Sequence, residues 1–124
     1  MPDQVNWLFG VPCLVCAADG PLVATERDAL DLIGDGGARG ATLVVLPVER
    51  LAGEFFQLRT GLAGQIAQKF VQYEMRLAIL GDVTGQLERS ETFASFAYET
   101  NRGTQLWFVN DIDELSERLG GAAR

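Results

Sequence analysis

The chain has 124 residues, 17 acidic and 10 basic side chains, a net charge of −7 and 48 % hydrophobic residues, which suits one domain around one shared core. The basic residues are scattered, and this balance argues against nucleic acid and against an anionic membrane surface, both of which call for clustered Lys and Arg. No apolar run approaches the ~20 residues that span a bilayer. Met1–Asn6 has neither a basic nor an apolar leader character, so the expected location is the cytoplasm.

Histidine is absent. That removes Ser-His and Cys-His nucleophile pairs and His-ligated metals, and leaves few groups able to change charge near neutral pH. No cofactor is expected. The two cysteines, Cys13 and Cys16, have C-x-x-C spacing, but their flanks read as a buried strand rather than a helix start. On a strand, residues three apart point to opposite faces, so the pair is read as two structural thiols of a cytosolic protein.

In chain order, Gly10–Ala18 reads as a strand, Asp19-Gly20 as a tight turn, and Leu22–Ala24 as an extended run or the short second strand of an opening hairpin. Thr25 reads as a helix N-cap with Asp28 completing an acidic capping box; Ala29, Leu30, Leu32 and Ile33 form the apolar face, and Gly34–Gly37 is the expected stop. Ala41–Leu46 is apolar and β-branched, the pattern of a strand covered on both faces, and Pro47 ends it.

The longest predicted helix runs from about Glu54 to Tyr73, with Phe55, Leu58, Leu62, Ile66 and Phe70 on one face. Gln57, Gly61, Gly64, Gln68 and Gln72 make the opposite stripe. Two glycines on one stripe imply either close backbone approach or a helix that begins near Thr60. Arg76–Leu80 is the next buried strand, followed by Gly81-Asp82. Leu87–Thr100 reads as a second long helix, with Asn101-Arg102-Gly103 as its stop. Gln105–Val109 is the last strand. Asp111 caps a final helix with Glu114 in its first turn, and Gly120-Gly121 closes it.

This alternation implies an α/β fold: a mostly parallel sheet of four to five strands with right-handed crossovers, an antiparallel N-terminal hairpin and about four helices. Ligands of such sheets sit beyond the C-terminal strand ends, here Glu49-Arg50, Gly81-Asp82 and Asn110-Asp111. Asp82 reads either as a ligand or as a turn residue, Asp111 as an N-cap, and isolated carboxylates on separate loops do not make a metal site. Arg59-Thr60-Gly61 is a candidate anion site if a helix starts there. Glu99 and Arg102 read as a pair on one helical turn, with Asn101 and Arg102 facing a partner as the alternative. The candidate binding residues are Glu49, Arg50, Arg59, Thr60, Gly61, Asp82, Asn101 and Arg102. No residue is nominated as catalytic, because no acid and base are paired.

The stretch Glu54–Tyr73 resembles the hallmark of a bacterial family described only as a domain of unknown function, and Leu77–Asp82, Glu99–Gly103 and Trp107–Val109 fit the same family. The resemblance covers nearly the whole chain and implies no particular activity. A looser likeness is to STAS-type (SpoIIAA-like) domains, which carry an Asp-Ser/Thr-Gly-Leu-Gly-like loop entering a helix. Thr60-Gly61-Leu62 and Gly64 echo that loop, with Arg59 standing where an acidic or hydroxyl residue is expected. That likeness implies a regulatory module that binds another protein, with Thr60 as the residue open to phosphorylation. The second expectation is a small anionic ligand, or an enzyme site, at the strand C-termini. A receiver-like phosphoacceptor is rejected: Asp19 stands alone on its turn, and no lysine follows Lys69. The nearly uncharged Gln/Gly stripe is read as a self-complementary face, hence a homodimer.

Overall fold

The computed structural model describes residues 3–122. Five strands, β1 (Gln4–Leu8), β2 (Val11–Val15), β3 (Leu43–Pro47), β4 (Arg76–Leu80) and β5 (Leu106–Val109), form one sheet in sequential order. β1 is antiparallel to β2, and all other pairs are parallel. The helices are α1 (Glu26–Ala38), α2 (Leu62–Gln72), α3 (Thr84–Arg89), α4 (Glu91–Arg102) and α5 (Ile112–Ala122). The expected α/β fold with its N-terminal hairpin is thus present.

Parallel strands that step in one direction place right-handed crossovers on one face of the sheet. Leu14, Val44, Leu46, Leu77, Ile79 and Phe108 meet α1, α2 and α4 on that face, in the larger core. Alternate residues of the same strands, Cys13, Leu43, Val45, Ala78, Trp107 and Val109, form a second core with Leu115 and Leu119 of α5. Trp107 donates its indole N–H to Gly103 O at 2.7 Å, and the Arg76 and Arg118 guanidinium carbons lie 4.7 and 4.5 Å from its ring centroid. No described helix is long and apolar enough to cross a membrane.

Four element boundaries differ from expectation. The hairpin lies one element earlier, between β1 and β2 across Phe9-Gly10, where both residues have positive φ. Leu22–Ala24 contributes only a parallel bridge, Val23 to Leu51. α1 runs through Gly34–Gly37 instead of stopping there. Gly36 is buried against Leu14, Ala41 and Met75, where a Cβ would make ordinary contacts at 3.5–3.7 Å, and Gly34 and Gly37 face open space, so the low helix propensity of glycine is overridden without any steric need for it. The Glu54–Tyr73 helix begins only at Leu62. Upstream of it the segment runs as 3₁₀ turns at Gly53–Phe56 and Leu58–Thr60, with Phe55 and Phe56 both buried. Finally, the Leu87–Thr100 helix is two helices. Ser90, at φ −144° and ψ 111°, breaks the chain and caps α4 by accepting the Phe93 N–H at 3.1 Å.

Other local signals appear as read. Thr25 and Asp28 form a capping box, and Asp111 accepts the Glu114 N–H at 2.8 Å. Cys13 and Cys16 are free, buried, and in opposite cores. Burial pushes their thiols up to about 11 and about 12 respectively. Along the Gln/Gly stripe, Gln57, Gly64, Gln68 and Gln72 are exposed, and nothing lies within 4 Å of a Cβ placed on Gly64. The stripe therefore faces outward at these positions, while Gly61 is half-buried.

Candidate functional site

An aromatic cluster builds the site. Phe55 and Phe56 meet edge to face at 5.4 Å, Phe56 and Phe93 at 5.3 Å, and Phe93 and Phe108 at 5.4 Å. The rings pin the segment after β3 to the start of α4. Between them lies a groove of about 730 Å³, lined on one side by Gly53, Phe56, Gln57, Leu58 and Arg59, and on the other by Gln86, Arg89, Ser90 and Thr92. It is formed by the connections that follow β3 and β4, the location expected for ligands of parallel sheets.

Charge distinguishes this groove. Arg27, Arg39, Arg50 and Arg102 pair with Asp31, Asp35, Asp3 and Glu99. Lys69 bonds to Gln72, Arg76 to Thr104 O and Arg118 to Asn101 O. Among the described residues, Arg59 and Arg89 are the cations left without an acidic, hydrogen-bonding or aromatic partner, and both line the groove. Ser90 and Thr92 place the first turn of the 12-residue α4 on the same wall. There the Glu91 and Thr92 N–H groups have no intrahelical acceptor, and the helix dipole favours an anion. Gln57, Gln86 and the Ser90 and Thr92 hydroxyls add hydrogen-bonding capacity, and Phe56 and Leu58 add apolar surface.

The other nominated residues are dispersed. Thr60 stands beside the groove segment as a loop tie: its hydroxyl is 2.8 Å from both Glu54 O and Gln57 O and accepts the Leu62 N–H at 3.3 Å. Gly61, at φ +78°, supplies the left-handed turn that starts α2. Glu49 is exposed on a 3₁₀ turn after β3. Arg50 is 4 % exposed and committed to the fold: it donates to both Asp3 carboxylate oxygens at 2.9 and 3.1 Å, to Pro21 O at 2.9 Å and to Ala17 O at 3.3 Å. Gly20 lies under it, where a Cβ would come within 2.6 Å of the guanidinium carbon.

Asp82 accepts the Thr84 N–H at 2.9 Å, and the Thr84 side chain and N–H hold its carboxyl below the usual carboxylate range. Asn101 pairs with the outer backbone of β5, accepting the Phe108 N–H at 2.7 Å and donating to Phe108 O at 3.3 Å. It also borders a smaller cavity of about 230 Å³, with Thr84, Asn110 and Glu114. Arg102 is exposed, 4.0 Å from Glu99 and over the Tyr98 ring at 5.6 Å. No group of three or more Cys, Asp or Glu that could hold a metal ion occurs among the described residues. Sequence reasoning missed Arg89, Gln86 and Ser90. The only local signal was Ser90, an N-cap residue type immediately before Glu91.

The sequence matches the family described as "Domain of unknown function (DUF4180)" over residues 9–119. The chain belongs to the DUF4180 family. Within the matched DUF4180 span lie the aromatic cluster, both walls of the groove and the whole parallel sheet. No curated protein and no solved structure matches the chain.

Proposed function

We propose that this DUF4180 chain is a binding module that takes an anionic small molecule in the groove between residues 53–59 and 86–92. The observation that carries the reading is the convergence there of Arg59 and Arg89, the two described cations with no partner, in a chain of net charge −7. An acidic protein that leaves two arginines unpaired on one concavity offers that concavity a carboxylate or phosphate. Phe56 and Leu58 favour a ligand with an apolar body beside its charge. Binding rather than turnover is proposed because the groove residues include no carboxylate, thiol or amine to act as base or nucleophile. The cytoplasm is the setting we infer, on the two reduced, buried cysteines.

The test is a thermal-shift series with inorganic phosphate, nucleoside monophosphates, and aliphatic and aromatic carboxylic acids. A ligand at 100 times its Kd stabilises by about 2.7 kcal/mol, or roughly 10 °C for a chain of this length. Arg59→Ala and Arg89→Ala should each weaken that shift, and the double variant should abolish it. A flat series, or a shift that survives the double variant, defeats the reading.

A second reading is a STAS-like regulatory module that binds another protein. It is supported by the hairpin followed by sequential βα units and by the Thr60-Gly61-Leu62 entry to α2. The hydroxyl of Thr60 ties three backbone groups of the groove segment, so phosphorylation there would break those ties and reshape the same wall. A Thr60→Val variant that captures the same proteins from a native extract as wild type does, with the same retention, counts against it.

A further inference from the structure

The two edges of the sheet are treated differently. β5 is closed on its outer side, where Asn101 takes both backbone groups of Phe108. Among the described residues, β1 pairs with β2 and has no strand on its other side. Alternation identifies its free groups. Thr42 N–H donates to Pro12 O and Cys16 N–H to Val45 O, each at 2.9 Å, so residues 12, 14 and 16 turn their backbone groups toward β3. Cys13 and its alternates 11 and 15 therefore turn theirs toward β1, where they oppose Asn6, Leu8 and Gln4. Val5 and Trp7 are left with N–H and C=O directed outward. The next outward carbonyl, Asp3 O, already accepts from Arg39 at 3.1 Å, which bounds the open edge.

Unpaired edges invite another strand, and proteins blunt them with Lys, Pro, bulges or charge. β1, Gln-Val-Asn-Trp-Leu, carries none of these residues. The charged groups at its end are neutralised internally, Asp3 by Arg50 and Arg39 by Asp35. Copies of a chain with net charge −7 repel one another over most approaches, and this uncharged edge is an approach without that penalty. Trp7 stands 69 % exposed on it.

We propose that β1 pairs antiparallel with β1 of a second copy about a two-fold axis at Asn6, making one continuous sheet through both subunits. The register follows from the free groups: Val5 opposes Trp7 of the second copy and exchanges both N–H···O bonds with it, the symmetric pair does the same, and Asn6 opposes itself as a non-hydrogen-bonded pair. Each Trp7 side chain then shares a sheet face with Val5 of the other copy. The outward Gln/Gly stripe of α2 takes no part.

The register makes the test specific. Facing residues of a non-hydrogen-bonded antiparallel pair have Cα atoms about 4.5 Å apart, within disulfide range. Asn6→Cys should therefore form a covalent dimer under mild oxidation. Gln4→Cys, which faces Leu8 of the other copy and lies ~13 Å from its own equivalent, should not. Light scattering on wild type should give twice 13.5 kDa, and Trp7→Lys should return a folded species of half that mass. A wild-type mass of 13.5 kDa overturns the proposal, as does equal cross-linking at positions 4 and 6, or a dimer split by Gly64→Glu but not by Trp7→Lys. Should Trp7→Lys misfold, the cross-linking pattern alone decides.

Discussion

Replacing Arg50 with methionine removes one guanidinium and affects three segments at once. Arg50 holds the Asp3 carboxylate, Pro21 O and Ala17 O, tying residues before β1, the turn after β2 and the turn after β3 together. The arginine is 4 % exposed, and the Asp3 side chain 18 %. Removing one member of a buried, hydrogen-bonded pair destabilises by about 3–5 kcal/mol. Because Asp3 keeps some contact with water, we expect the lower end, about 3 kcal/mol, or a Tm lower by roughly 10–12 °C.

Asp3→Asn retains an acceptor and should lose less, about 1–2 kcal/mol. The pH dependence gives an independent sign. Burial by itself raises the Asp3 pKa, but the Ala17 N–H and Arg50 outweigh it, so the folded value lies below the ordinary one. The contribution is therefore fully present above the unfolded value of about 3.9 and is lost as pH falls through the folded value. Chemical denaturation from pH 7 to pH 2 on wild type and Asp3→Asn is the assay: below about pH 4 wild type should lose stability relative to the variant. A loss under about 1 kcal/mol for Arg50→Met, or parallel acid limbs, would refute the reasoning.

Gly81 has φ +143°, and a Cβ there would meet Val48 Cγ1 at 2.6 Å; Gly81→Ala should cost about 2–3 kcal/mol in urea unfolding, with Gly81→Ala/Val48→Ala recovering part of the steric share and not the backbone share. Asn101→Ala should cost about 1–3 kcal/mol and speed hydrogen exchange at the Phe108 amide, which Asn101 covers at 2.7 Å. With their thiols pushed up to about 11 and about 12, Cys13 and Cys16 should ignore a thiol reagent at pH 8 until denaturant is added; prompt labelling of the folded chain would contradict their burial.

β3, β4 and β5 were legible because each is a short apolar run between breakers, covered on both faces. β1 was not, since an edge strand with alternating polar residues lacks the continuous apolar run that marks the others. Its turn, Phe9-Gly10, lacks the Asn-Gly or Asp-Gly signature, whereas Asp19-Gly20 had the signature and turned out to leave room for Arg50. The start of α2 at Leu62 matches the later start near Thr60 that the two glycines offered, while the helical spacing of Phe55 and Leu58 favoured the earlier one. Propensity could not show that Gly36 lies against Leu14, Ala41 and Met75. Of the groove, Arg59 was readable from its place before Thr60-Gly61. Arg89 was not, because only the Phe56–Phe93 contact brings its wall opposite.

The helices are unevenly shared between the faces of the sheet: α1, α2 and α4 shelter one, and α5 the other. α5 comes after every strand in chain order, and only its docking covers the second face. Until it docks, Leu43, Val45, Ala78 and Val109 form a bare apolar plane on a structure otherwise able to fold. A stop codon in the loop after β5 would therefore yield a sticky half-covered sheet rather than a smaller soluble domain.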